Sequence, residues 1–169
     1  YSSTQELSVR VFSFLIFPIT MALHPRITKL WNEENKQEAI NIITLAIKLI
    51  FVFFIFVILI VFFQNNLILN IYKIIIPMLD KSYAGIVLPL VVSGIFWQLS
   101  FFTHKLIELK EQTYLMLIFI ILSLIINIFG NTILLPTYGI IATSYTSMFS
   151  AMAYFLLSFL YFFFNKKKI

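Results

Sequence analysis

The residues of this chain best suited to chemistry fall on one line. Glu6, Arg10, Ser13, Phe17, Thr20 and His24 follow one another at steps of 4, 3, 4, 3 and 4. In a helix of about 3.6 residues per turn, those steps trace a single stripe. Glu6 and Arg10 stand four apart, close enough to pair as ions. In an otherwise apolar helix such a stripe cannot face lipid, so it faces other helices or a water-filled cavity. A charge near the middle of a membrane helix costs about 2.5–3.5 kcal/mol on insertion scales, and such residues are retained for function or paired. Two readings stay open. One is a structural ion pair at an outer interface, with Arg10 reaching toward the headgroups. The other is a cavity wall that presents a guanidinium.

Further polar positions occur in apolar surroundings. Lys48 shares a helical face with Asn41 and Thr44 and is read as snorkelling to the membrane surface. Ser93, Trp97, Ser100 and His104 form another stripe with Gln98 beside it, and helix–helix hydrogen bonding explains it better than a proton relay. Ser123, Asn127 and Asn131 recur at four-residue steps, which predicts bonds to a neighbouring helix. Gly139, Thr143, Ser147 and Ala151 form a ridge of small residues that lets another helix approach closely.

No soluble-enzyme constellation is present. There is no cysteine, hence no disulfide, thiolate nucleophile or cysteine metal site. HExxH, phosphate-loop and dinucleotide-turn patterns are absent. The two histidines stand 80 residues apart and make a weak metal site. The few carboxylates lie near segment ends or in loops, which disfavours paired-acid catalysis. The chain is therefore read as a non-enzyme without cofactor.

The elements that must position these residues follow from composition. Of 169 residues, 61% are hydrophobic and only 11% charged, and the mean hydropathy is +0.99. A soluble domain carries about 25% charged residues and could not cover this much apolar surface. Lipid is the fitting solvent, and the expected fold is an all-α integral membrane bundle over residues 1–169. Five segments of about 20 apolar residues qualify as spans, at roughly 3–23, 40–63, 83–103, 114–135 and 138–164. They lack the alternation of membrane β-strands. The last two are joined by a short turn at Pro136 and Thr137. The stretch 64–82 is apolar but broken by Pro77, and reads as an interfacial or re-entrant piece.

The net charge of +5 arises from cations between spans and at the end, so it orients helices and does not point to nucleic acid. Arg26, Lys29, Lys36, Lys105, Lys110, Lys166, Lys167 and Lys168 fall on one side, whereas Lys73 and Lys81 fall on the other. The positive-inside rule makes the first side, with the C-terminus, cytoplasmic. The chain opens on Tyr1 without a signal peptide, which is expected of a cut inside a longer protein with spans upstream.

The stretch NIFGNTILLPTYGIIATSYTSMFS, from Asn127 to Ser150, resembles the last helix pair of bacterial polysaccharide flippases, the O-antigen and lipid-linked oligosaccharide translocases. Asn127, Asn131, Pro136, Tyr138 and Gly139 stand where that family's pattern puts them. LDKSYAGIVLPLVVSG is similar to the family's outer loop and following span, and FPITMALHPRITKLW to a helix ending in a Pro-rich turn. Ile141, Ala142 and Thr143 depart from the family's Gly-Ala-Ala. The resemblance implies a two-lobe transporter, of which these spans form most of the second lobe, with the first lobe as partner. It implies alternating access and a polyprenyl-pyrophosphate-linked oligosaccharide as cargo, in the bacterial inner membrane. A pyrophosphate needs fixed cations. Arg10, whose guanidinium forks onto phosphate oxygens, is the first candidate, followed by Arg26 near the cytoplasmic mouth and then Lys48. The alternatives are a cation-coupled multidrug exporter of the same superfamily, which calls for acids deep in a lobe, and a membrane-embedded glycosyltransferase or polymerase, which calls for a long external loop.

Overall fold

The computed structural model describes residues 2–63, 70, 74 and 84–166, and within them the side chains of all but 2–9, 12, 15, 61 and 84. The stretch read from sequence as an interfacial piece therefore lies, but for two residues, outside the described residues, as do Lys73, Lys81, Lys167, Lys168 and the side chain of Glu6.

Among the described residues there is no strand. Six helices follow in order: α1 (Ser2–Asn32), α2 (Lys36–Phe63), α3 (Ala84–Thr103), the short α4 (Lys105–Leu109), α5 (Thr113–Tyr138) and α6 (Ile140–Asn165). Unbroken apolar sequence dictates this outcome, because in lipid each backbone N–H and C=O must find its partner within the protein. Four stretches are long and apolar enough to cross a membrane: Lys36–Ile60, Gly85–Leu109, Thr113–Tyr138 and Ile140–Asn165. The chain is thus an all-α, multi-pass membrane protein.

The first expected span differs from the other four. It is helical over 31 residues and runs through both Pro18 and Pro25, where the sequence led us to expect a turn. Each proline forfeits one backbone bond, a loss tolerated where neighbouring helices pack alongside. The last turn is also displaced. α5 continues through Pro136, and the chain reverses at Gly139, whose φ of 61° and ψ of −151° lie in a region open essentially to glycine alone.

α3 is the central helix: 61% of its spanning window is buried, against 6% for α5. It packs against α1, α2 and α6, and α5 leans on α6. Ile27 of α1, Ile43 and Phe54 of α2, Val87, Leu90, Ile95 and Leu99 of α3, and Phe155 and Phe162 of α6 fill the core. Lipid is as apolar as these side chains, so close packing and interhelical hydrogen bonds hold the helices together, with little help from the hydrophobic effect. The bonded pairs show that α1, α3 and α6 run one way: Ser13 meets Gln98, Ser93 meets Ser147 and Thr103 meets Ser158. Short turns reverse α2 and α5.

At the turn after α4 a glycine would be expected and a glutamate stands there instead. Glu111 takes φ of 57°, its N–H donates to Glu108 O and that of Gln112 to Ile107 O, the two bonds of a Schellman cap.

Candidate functional site

The polar side chains of α3, His104 and α4 point into two seams. The first faces α1. Gln98 Nε2 donates to Ser13 Oγ at 2.6 Å. Two turns further on, Lys105 Nζ meets His24 Nδ1 and donates to Glu108 Oε1 at 2.9 Å. The Lys105 side chain is only 7% exposed, whereas Glu108 is 42% exposed and opens toward the end of the bundle. The result is a buried cation held by one carboxylate and one imidazole, beside a cavity of about 10 Å³ lined by Thr20, His24, Phe101 and Lys105. That is close to the smallest space that holds one water.

The second seam faces α6. Ser93 Oγ donates to Ser147 O at 3.2 Å, the Thr103 and Ser158 hydroxyls stand 2.7 Å apart, and the Tyr154 hydroxyl is 2.9 Å from His104 Nδ1. The Tyr154 ring also packs against Trp97, with centroids 5.5 Å apart. Helix–helix bonding, expected of the α3 stripe, describes Ser93 and His104, while Ser100 turns back to Phe96 O of its own helix at 2.7 Å.

α5 joins α6 in the same manner. Asn131 Nδ2 donates to Asn127 Oδ1 at 3.0 Å, and Thr146 Oγ1 donates to Asn131 Oδ1 at 3.0 Å. A Cβ on Gly130 would fall 2.6 Å from Thr146 Cγ2. Contact this close, with the asparagine bridge beside it, locks the hairpin that carries the resemblance motif.

The three cations singled out from sequence are not brought together. Arg10 and Arg26 lie on α1, sixteen residues apart, which is about 24 Å along a straight helix and about 160° around it. Arg10 is exposed. Arg26 pairs with Glu38 across the α1–α2 turn at 3.9 Å, with both side chains more than half exposed. Lys48 is exposed on α2, turned away from the side where Ile43, Ile47 and Ile50 pack. Lys105, which the sequence placed in a cytoplasmic loop, is instead the buried cation. Its signal was present: it stands seven residues after Gln98, two helical turns on along the face that meets the α1 stripe, and the apolar Leu106 and Ile107 follow it.

Among the described residues no group of three or more His, Asp or Glu side chains could hold a metal ion. These features define a class, a multi-pass helical membrane protein with polar seams between its helices. No protein-family model, curated protein or solved structure matches the chain.

Proposed function

We propose that this chain is part of a transporter that moves a polyprenyl-pyrophosphate-linked oligosaccharide across the bacterial inner membrane, supplying O-antigen or a related lipopolysaccharide or surface polysaccharide. It serves as most of the second lobe of a two-lobe flippase and works with a first lobe by alternating access, in which bundles rock about a central cavity. The observation that carries the reading is the Asn127–Ser150 stretch. Three residues that resemble the flippase family help build the α5–α6 hairpin: Asn127 and Asn131, which bond each other, with Asn131 accepting from Thr146, and Gly139 at the reversal. The α1–α3 seam adds a second support, since polar bonds between lobe helices let a lobe move as one body.

The placement of the acids weighs against the cation-coupled exporter. Among the described side chains the acids are Glu33, Glu34, Glu38, Glu108 and Glu111, and all stand at or beside helix ends on one side of the bundle. Arg10 remains the first choice for the cargo pyrophosphate. Arg26, near the cytoplasmic mouth, and Lys48 follow.

Deleting the full-length gene in its host tests this reading. Loss of surface polymer, with finished repeat units accumulating on the cytoplasmic side, is the expected result. Normal polysaccharide together with altered sensitivity to toxic cations would replace the flippase by the exporter.

A further inference from the structure

At the end of the bundle where α2 begins and α6 ends, a cleft of about 350 Å³ is lined by Gln37, Ile40, Asn41, Thr44 and Lys166. That volume is in the range of about 300–1,000 Å³ typical of small-molecule sites. Its wall offers two amides, one hydroxyl and one ammonium, and none of its lining residues is acidic. The Lys166 ammonium sits 5.6 Å over Phe162 and 5.3 Å over Phe163, which hold it at the rim. Gln37 Nε2 already donates to Asn41 Oδ1 at 3.3 Å, which leaves the Asn41 amide N–H groups to donate elsewhere. Of the acids nearest in sequence, Glu38 is engaged with Arg26 and Glu33 with Lys29, and Glu34 stands exposed in the α1–α2 turn.

The cleft also lies at a definite depth. Its lining comes from the first turns of the spanning stretch Lys36–Ile60 and from the residue just after Ile140–Asn165, the level of the lipid headgroups. Below it, both helices turn apolar side chains outward, with Leu45 and Leu49 exposed on α2 and Leu160, Phe163 and Phe164 on α6. An anion with hydrocarbon chains therefore fits, its charge at Lys166 and its chains along these surfaces. Lys48 stands one turn deeper than Thr44 on the same side of α2.

We propose that this cleft binds the headgroup phosphate of an anionic phospholipid at the basic face of the bundle. Lys166 supplies the charge, and Asn41 and Thr44 donate to the phosphate oxygens. The inference rests on the membrane-spanning fold and the chemistry of the cleft, and is independent of the transported cargo.

Native mass spectrometry of the full-length protein, released from nanodiscs of equal parts phosphatidylglycerol and phosphatidylcholine, tests it. The wild type is expected to retain phosphatidylglycerol preferentially. One juxtamembrane cation contributes about fivefold in binding to an anionic surface, so Lys166→Gln should lower retention about fivefold. Lys166→Arg should keep it, and Lys29→Gln, a cation outside the cleft that is paired with Glu33, should lower it less than Lys166→Gln does. Asn41→Leu, which removes donors without touching charge, should also lower retention. Equal retention of the two lipids by the wild type, or unchanged retention by both Lys166→Gln and Asn41→Leu, would overturn the proposal. So would displacement of the bound lipid by inorganic phosphate alone, which would make the cleft a free-phosphate site.

Discussion

Gly130 is the position at which one added methyl group should do most. Its ideal Cβ would meet Thr146 Cγ2 at 2.6 Å and Thr146 Cβ at 3.3 Å. The first distance is too short for any real contact, so Gly130→Ala must move Thr146. Thr146 is not free to turn, because its single hydroxyl proton is shared between Asn131 Oδ1 and Thr143 O, both at 3.0 Å. Rotating it relieves the clash but gives up the interhelical bond, which is worth on average about 0.6 and at most about 1.7 kcal/mol between membrane helices. Leaving it in place forces α5 and α6 apart, and overpacking of that kind costs about 1–3 kcal/mol. Either route predicts a loss of about 1–3 kcal/mol. Thr146→Ser separates the two terms, since it deletes Cγ2 and keeps the hydroxyl. Alone it should cost under about 1 kcal/mol. Combined with Gly130→Ala, it should restore most of the lost stability. The assay is reversible unfolding in mixed micelles with a distance reporter across the α5–α6 hairpin, analysed as a double-mutant cycle. If Gly130→Ala is as stable as wild type, or the two substitutions simply add, the close α5–α6 contact is not what holds the hairpin.

Other expectations follow from the same geometry. Gly139→Ala places a Cβ where φ is 61° and ψ is −151°, and should cost about 1–3 kcal/mol in the same unfolding assay, whereas an alanine at the neighbouring Ile140 should cost less. Lys105→Ala strands His24 and Glu108 and leaves a void in the α1–α3 seam, and should destabilise by about 1–3 kcal/mol. Glu108→Gln, on the half-exposed side of that pair, should cost less than about 1 kcal/mol. In the full-length protein, Arg10→Ala should impair transport with expression intact and Arg10→Lys should restore it only in part; normal transport by the alanine variant would remove Arg10 from the cargo site.

Fold class was legible because it depends on long-range composition: runs such as FVFFIFVILIVFF leave lipid as their only fitting solvent. Asn131 was legible for a related reason: an amide in a span must find a partner, and Thr146 of α6 supplies it. The same spacing misled for Asn127, which bonds Asn131, and for Ser123, which bonds Phe119 O, both within α5. Proline misled twice. Pro25 and Pro136 read as turns, yet both lie inside helices, because a packed neighbour compensates for the lost backbone bond. The real reversal, at Gly139, depends on a backbone angle that only the folded chain reveals. Lys105 was misplaced for a different reason. Charge and nearby polar residues mark a loop in sequence, and only the approach of His24, 81 positions earlier, turns that loop into a buried seam. The α1 stripe was read as polar, but its use could not be read: Ser13 meets Gln98 of α3 and His24 meets Lys105 of α4, which a one-helix view cannot distinguish from a cavity. The cleft at Lys166 combines residues more than 120 positions apart and has no local signature.

The most direct measurement is translocation itself. The full-length protein, reconstituted into liposomes carrying a fluorescent lipid-linked oligosaccharide in one leaflet, should move the label to the other leaflet faster than protein-free liposomes do, and Arg10→Ala should slow it. No acceleration by folded, correctly inserted protein would contradict the flippase reading and leave only the multi-pass helical fold standing.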